Sequence, residues 1–246
     1  MNILSKYLMR DGARRVASII MASILPATVF PDVVRARSYV DLRRVEPIRG
    51  DMTSGAANTT TCVACHGPSG NSMVPQFPSL AGQRADYIYH RLVAFKAVNA
   101  KDPAYASSPM PAQAQGLSDH DMRNIAVYFA AQAPTAPGLP PPGADGRGET
   151  LYLEGDHVRG IPPCQGCHGS GAQGGPVGSG SQYLAYPRLR GQHAAYLVSR
   201  LTNFRDKPAN GSSNDFIMHG VALTLDDESI QSLAAWLESL PPTTAK

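Results

Sequence analysis

The chain keeps no cysteine in reserve. Its 246 residues contain four, and all four fall in two short segments of one spacing, so none remains for a disulfide framework. It also lacks a charge excess beyond its first segment. Residues 1–36 hold five basic and two acidic residues; taken from totals of 22 and 19, these leave 17 of each sign. A nucleic-acid partner would need a basic patch that this balance does not supply. Nor is there an apolar run of membrane-spanning length: Val16 to Phe30 is broken by Pro26 and is too short to cross a bilayer comfortably. The glycine-rich stretch Gly169–Gly180 has no Gly-Lys-Ser/Thr ending, which excludes a phosphate loop and leaves a flexible loop.

The N-terminus has an export pattern. Lys6, Arg10, Arg14 and Arg15 stand against one acid, Asp11, ahead of the apolar run, as in a secretory signal. Cleavage fits after either Leu25-Pro26-Ala27 or Val34-Arg35-Ala36, and an uncleaved membrane anchor is the other reading. Residues 1–36 are therefore expected as a signal peptide or anchor. Residues 37–50, with Arg43, Arg44 and Arg49, are expected as a solvated lead-in.

The cysteines lie in Cys62-Val63-Ala64-Cys65-His66 and Cys164-Gln165-Gly166-Cys167-His168. Two thiols three residues apart, with a histidine directly after, have the spacing of c-type haem attachment. One helical turn separates the thiols by about the distance between the porphyrin vinyls. The histidine then lies under the iron as its proximal ligand. Zinc is the rival, because two Cys-x-x-Cys pairs could form a four-thiolate site. Zinc ribbons, however, hold their pairs about 15–20 residues apart, whereas Cys65 and Cys164 are 99 positions apart. Neither zinc nor a thioredoxin-like motif accounts for a histidine after each pair. Two covalent haems c are the expected cofactors.

The segments beyond the two motifs repeat as well. Phe77-Pro78-Ser79-Leu80-Ala81-Gly82-Gln83 answers Tyr186-Pro187-Arg188-Leu189-Arg190-Gly191-Gln192. Helical patterns come next, at Ala85 to Lys96 and Ala194 to Asp206, each with apolar residues at three- and four-residue intervals. Terminal helices are expected from Leu117-Ser118-Asp119 and Leu225-Asp226-Asp227, the polar residue after each leucine serving as N-cap. The proline-dense Pro134 to Gly143 cannot continue a helix. The expected organisation is thus a first domain at 51–133, a proline-rich linker at 134–144 and a second domain at 145–246. Each domain has a small core that a haem would complete.

The second iron ligand is sought among the methionines. Met110 and Met218 each lie seven residues before the leucine that opens the last helix, and they are expected in loops. Met122 aligns with Ile230 on an apolar helix face and reads as core; Met73 has no counterpart and reads as a loop residue. Two methionines at matching offsets are poorly explained as gap-fillers. Met110 and Met218 are therefore the expected axial partners of His66 and His168. Among the other histidines, His219 is the one rival ligand; His90, His120, His157 and His193 read as surface or loop residues.

Together these features resemble the two-haem bacterial cytochromes c of the c4 type. They are the paired Cys-x-x-Cys-His-Gly segments, the Pro-x-Leu-x-Gly-Gln stretches ending at Gln83 and Gln192, and the Leu-(Ser/Asp)-Asp helices placed after a methionine. Gly148-Glu149-Thr150-Leu151-Tyr152 and Gly160-Ile161-Pro162-Pro163-Cys164 add to the likeness, which covers roughly residues 50–240. The resemblance implies an all-α chain of two tandem class I cytochrome c domains facing one another across a pseudo-twofold relation. It implies ligation by His66 with Met110 and by His168 with Met218, and Pro78 and Pro187 as carbonyl acceptors for the ligand histidines. It also implies a periplasmic role in passing electrons from a respiratory donor to an acceptor such as a terminal oxidase. Two departures stand out. Lys96-Ala97-Val98-Asn99 lacks the usual glycine, and the first half has no clear match to Gly148–Tyr152.

The leading function is an electron carrier, since iron held on both faces by protein has no open position for substrate. The alternatives are a bound cytochrome subunit of a dehydrogenase or oxidase complex, attached to a membrane through its partner or its N-terminus, and a two-haem peroxidase. The last needs a labile sixth position, against which the matched methionines argue.

Overall fold

The computed structural model describes residues 40–98, 108–135, 146–175, 183–207 and 211–242. All of these described residues belong to one compact unit. The expected signal or anchor at 1–36, most of the linker and the end of the glycine-rich loop lie outside the described residues.

Ten α-helices and no multi-residue strand make up the described fold, five helices to each half. In the first half they are α1 (Met52–Asn58), α2 (Val63–His66), α3 (Ala85–Ala97), α4 (Met110–Ala114) and α5 (Asp119–Ala131). In the second they are α6 (Gly146–Leu153), α7 (Gln165–His168), α8 (Ala194–Asp206), α9 (Ser213–Ala222) and α10 (Asp227–Ser239). Both terminal helices start at the expected caps. Ser118 accepts from Asp121 N–H in a full capping box, and Asp226 accepts from Ser229 N–H; such caps stabilise a helix end by about 1 kcal/mol.

Each half buries its own apolar cluster. Ile88 and Leu92 of α3 meet Met122, Ile125, Ala126 and Phe129 of α5. Leu197 of α8 meets Ile230, Leu233, Trp236 and Leu237 of α10, with Leu151 and Tyr152 of α6 and Ile161 joining them. Fully burying side chains of this size contributes about 1.5–3 kcal/mol each.

In both halves the first and last helices cross at a glycine. A Cβ on Gly55 would lie 2.3 Å from the Asn124 carbonyl oxygen of α5, and one on Gly148 would lie 2.1 Å from the Ser232 oxygen of α10. Gly55 is therefore the first-half counterpart of Gly148, which the sequence did not reveal. Thr59, 3 % exposed, then stands where Tyr152 does. The match is hidden because Gly55 precedes Cys62 by seven residues and Gly148 precedes Cys164 by sixteen. The extra residues include a short excursion closed by the Asp156–Ile161 bridge.

The two halves are joined by paired polar contacts related by the repeat. Gln83 Nε2 donates to the Arg188 carbonyl at 2.9 Å, and Arg188 N–H donates to Gln83 Oε1 at 2.8 Å. Gln192 Nε2 donates to the Ser79 carbonyl and Ser79 N–H to Gln192 Oε1, both at 2.9 Å. Ser79 and Arg188 occupy equivalent positions in the Pro-x-Leu-x-Gly-Gln stretches. Arg91 of α3 pairs with Asp215 of α9 at 3.3 Å. His193, expected as a surface or loop residue, lies in the loop just ahead of α8 but is only 4 % exposed. Its Nε2 donates to the Ser72 carbonyl of the other half at 2.9 Å, and its Nδ1 faces Glu238 Oε1 at 3.3 Å.

The lead-in is more than a solvated approach. Val40 exchanges backbone hydrogen bonds with Gly211 and Ser213 ahead of and at the start of α9 (2.8 and 2.9 Å), and Leu42 is buried. Further along, Ile48 N–H donates to Asp86 of α3 and Asp51 N–H to Asn124 of α5. Residues 40–51 thus form a strap from the second half to the first. Its backbone groups are satisfied by partners distant in sequence, which no local pattern announces.

Candidate metal centres

Each Cys-x-x-Cys-His segment folds into a single turn of helix, α2 or α7, with its first cysteine at the N-cap. The next residue must turn the chain sharply. Gly67 has φ 75° and Gly169 φ 77°, and a Cβ on Gly67 would sit 1.9 Å from the Asn71 carbonyl oxygen. Only glycine occupies such a position without strain. No two of the four cysteines are joined in a disulfide. Cys62 and Cys164 rest against the first and second cores respectively. Burial pushes the Cys62 and Cys167 thiols up from the usual range and Cys164 up to about 11.

The two histidines are held alike. His66 and His168 are each 7 % exposed. His66 Nδ1 donates to the Pro78 carbonyl at 2.8 Å, and His168 Nδ1 to the Pro187 carbonyl at 3.1 Å. Phe77 lies edge-on to His66 with ring centroids 6.4 Å apart, and Tyr186 lies beside His168 at 6.1 Å. Burial lowers the basicity of both imidazoles, against the opposing pull of the proline carbonyls. Each ring is thereby kept neutral with its Nδ1–H committed, which leaves Nε2 as the free donor atom.

The methionines separate clearly. Met122 is 4 % exposed within the first core, and Met73 is 89 % exposed. Met110 and Met218 are both half-buried. Neither lies in a loop, contrary to expectation: Met110 opens α4, and Met218 lies inside α9, which is a full turn longer at its start. Four residues on, Ala114 and Ala222 are both fully buried, so the two methionines share one register relative to the cores. His219 Nδ1 donates to the Phe204 carbonyl at the end of α8 at 2.5 Å. His120 and His157 are exposed and His90 half-buried.

A zinc site would require the thiols to converge. Among the described residues no three His, Cys, Asp or Glu side chains gather as a metal-binding group. Each half instead offers two thiols one helical turn apart beside one neutral imidazole. That donor set suits a haem bound through two thioethers and one nitrogen.

The family model for cytochrome c matches the chain twice, at residues 54–132 and 147–241. Cytochrome c4 of Azotobacter vinelandii is 36 % identical over 195 residues, spanning 78 % of this chain and 90 % of that protein. The chain belongs to the cytochrome c family, in its two-haem c4 type. Among solved structures, reduced recombinant cytochrome c4 from Pseudomonas stutzeri aligns with a TM-score of 0.68 at 34 % identity, covering 78 % of this chain and all of that one. A protein of Thiomonas intermedia named thiosulfate dehydrogenase electron acceptor is 30 % identical over 223 residues, covering 85 % of this chain and 97 % of its own length.

As a c4-type cytochrome, the chain carries electrons on two covalently attached haems c, one at Cys62 and Cys65 and one at Cys164 and Cys167. When bound, each haem supplies one reversible electron at its iron. The two thiols of each motif would tether it, and the imidazole beside them, its Nδ1 fixed by a backbone carbonyl, would face it with Nε2. Sequence reasoning overlooked the cross-domain roles of Gln83, Gln192 and His193. The repeated Gln at one offset was the available signal.

Proposed function

We propose that this chain relays single electrons in the periplasm between a donor protein and an acceptor such as a terminal oxidase, with both irons closed to substrate. His66 with Met110, and His168 with Met218, are the axial ligands in this reading. The first haem domain spans 51–133 and the second 145–246, joined by the linker 134–144. The observation that carries the proposal is the shared register: each half sets one carbonyl-anchored, neutral histidine and one half-buried methionine four residues ahead of a fully buried alanine. A thioether is a soft ligand that favours ferrous iron, so both potentials are expected to be high. Export fits the N-terminal pattern of residues 1–36. Among the described residues no helix is long and apolar enough to cross a membrane.

The test is Met218→Ala. It should admit carbon monoxide to the second iron and leave the first closed; unchanged binding would show that Met218 is not a ligand. The relative named as an electron acceptor of thiosulfate dehydrogenase supports a second reading, a cytochrome subunit that works beside a dehydrogenase. Co-purification from its native membrane and periplasmic fractions discriminates the two. A stable stoichiometric complex favours the subunit, and free protein favours the carrier.

A further inference from the structure

Each proline carbonyl that anchors a histidine belongs to a peptide group also gripped from the other domain. The Pro78–Ser79 peptide accepts from His66 Nδ1 through its oxygen (2.8 Å) and donates through its N–H to Gln192 Oε1 (2.9 Å). The Pro187–Arg188 peptide accepts from His168 Nδ1 (3.1 Å) and donates to Gln83 Oε1 (2.8 Å). Both glutamines are buried, 5 % and 6 % exposed. Their second arms, Nε2 to the carbonyl of the same residue, fix the carboxamide in place. Each Oε1 also accepts the N–H of the next residue, Arg84 or His193, which orients it further.

The two ends of an amide polarise together. A hydrogen bond donated by its N–H draws electron density toward its oxygen, and linked bonds strengthen one another by about 10–30 % each. A stronger carbonyl acceptor makes the histidine a more basic ligand and so stabilises the ferric state. We infer that Gln192, a residue of the second domain, tunes the first haem, while Gln83, a residue of the first domain, tunes the second. The inference rests on His66 and His168 being the proximal ligands. The glutamines act on the histidines through these peptide groups and are positioning residues.

The test uses the full-length holoprotein with Gln192→Met and Gln83→Met, which keep side-chain length and remove the hydrogen bonds. Redox titration monitored by haem-methyl proton resonances, assigned separately to each domain, gives one potential per haem. Gln192→Met should raise the potential of the haem at Cys62 and Cys65 and leave the other nearly still. Gln83→Met should do the reverse. The expected size is about a threefold change in the ferric-to-ferrous ratio, near 30 mV on the scale of about 59 mV per factor of ten.

Equal shifts of both haems, a shift of the haem in the glutamine's own domain, or no shift would each overturn the inference. A glutamine that merely held the domains together would produce the first of these. Gln192→Asn and Gln83→Asn, too short to reach the opposite peptide, carry the same crossed expectation should a methionine variant fail to assemble. Failure of the ligand assignment is seen separately, as a wild-type spectrum without the signature of histidine–methionine coordination.

Discussion

Gly148→Ala is the most direct perturbation of the helix crossing that frames the second haem domain. The added Cβ would sit 2.1 Å from the Ser232 carbonyl oxygen and 2.7 Å from Trp236 Cβ. Carbon–oxygen contacts settle no closer than about 3.3 Å, so α6 must move away from α10 by roughly 1 Å. The obstacle is helix backbone and cannot swing aside. Overpacking of this kind costs about 1–3 kcal/mol, here toward the upper end. Alanine's better helix propensity returns about 0.5–1 kcal/mol, leaving a net loss of about 2 kcal/mol. In thermal melts by far-UV circular dichroism, that is a drop of about 4–8 °C if the repeats melt together and about twice that if the second melts alone.

The displacement should also reach the metal centre. Tyr152 of α6 packs against Trp236 with centroids 4.9 Å apart. Its hydroxyl donates to the carbonyl of Gly169, the residue after His168, at 2.7 Å. Gly146→Ala is the control, because a Cβ there meets nothing within 4 Å, and it should be neutral or mildly stabilising. A Gly148→Ala protein that melts with wild type would refute the close crossing.

Three further outcomes are expected. Tyr152→Phe removes the bond to Gly169 and should cost about 1 kcal/mol by denaturant titration, with little change in denaturant sensitivity. Asp215→Ala, which removes an ion-pair partner of Arg91 and the capping box at the start of α9, should destabilise the protein by about 1–2 kcal/mol. Finally, His90 has its Nε2 buried without a hydrogen-bond partner among the described residues, and burial, with Arg123 nearby, depresses its pKa below the ordinary 6.5. The unfolded chain binds that proton more readily, so stability should fall as pH drops from about 6.5 toward the depressed value. His90→Leu should flatten this segment of the stability–pH curve.

Much of this molecule is legible from local pattern. The attachment motifs, the middle and terminal helices, their caps at Ser118 and Asp226, and the core placement of Met122 all come from spacing within a few residues. What stays hidden depends on distant backbone. Gln83 and Gln192 recognise peptide groups 105 and 113 residues away, and a peptide group carries no side-chain signature. His193 was unreadable for the same reason, since its partner across the interface is the Ser72 carbonyl. The counterpart of Gly148 was masked by unequal loops, and only the crossing geometry identifies Gly55.

Whether histidine and methionine close each of the two covalent haems, as proposed, is tested most directly by the mass of the purified protein taken together with its ferric optical spectrum. The expected result is a mass increment of two haems and a methionine-to-iron charge-transfer band whose intensity accounts for both irons. A mass increment of fewer than two haems, or a band absent from either iron, would contradict it.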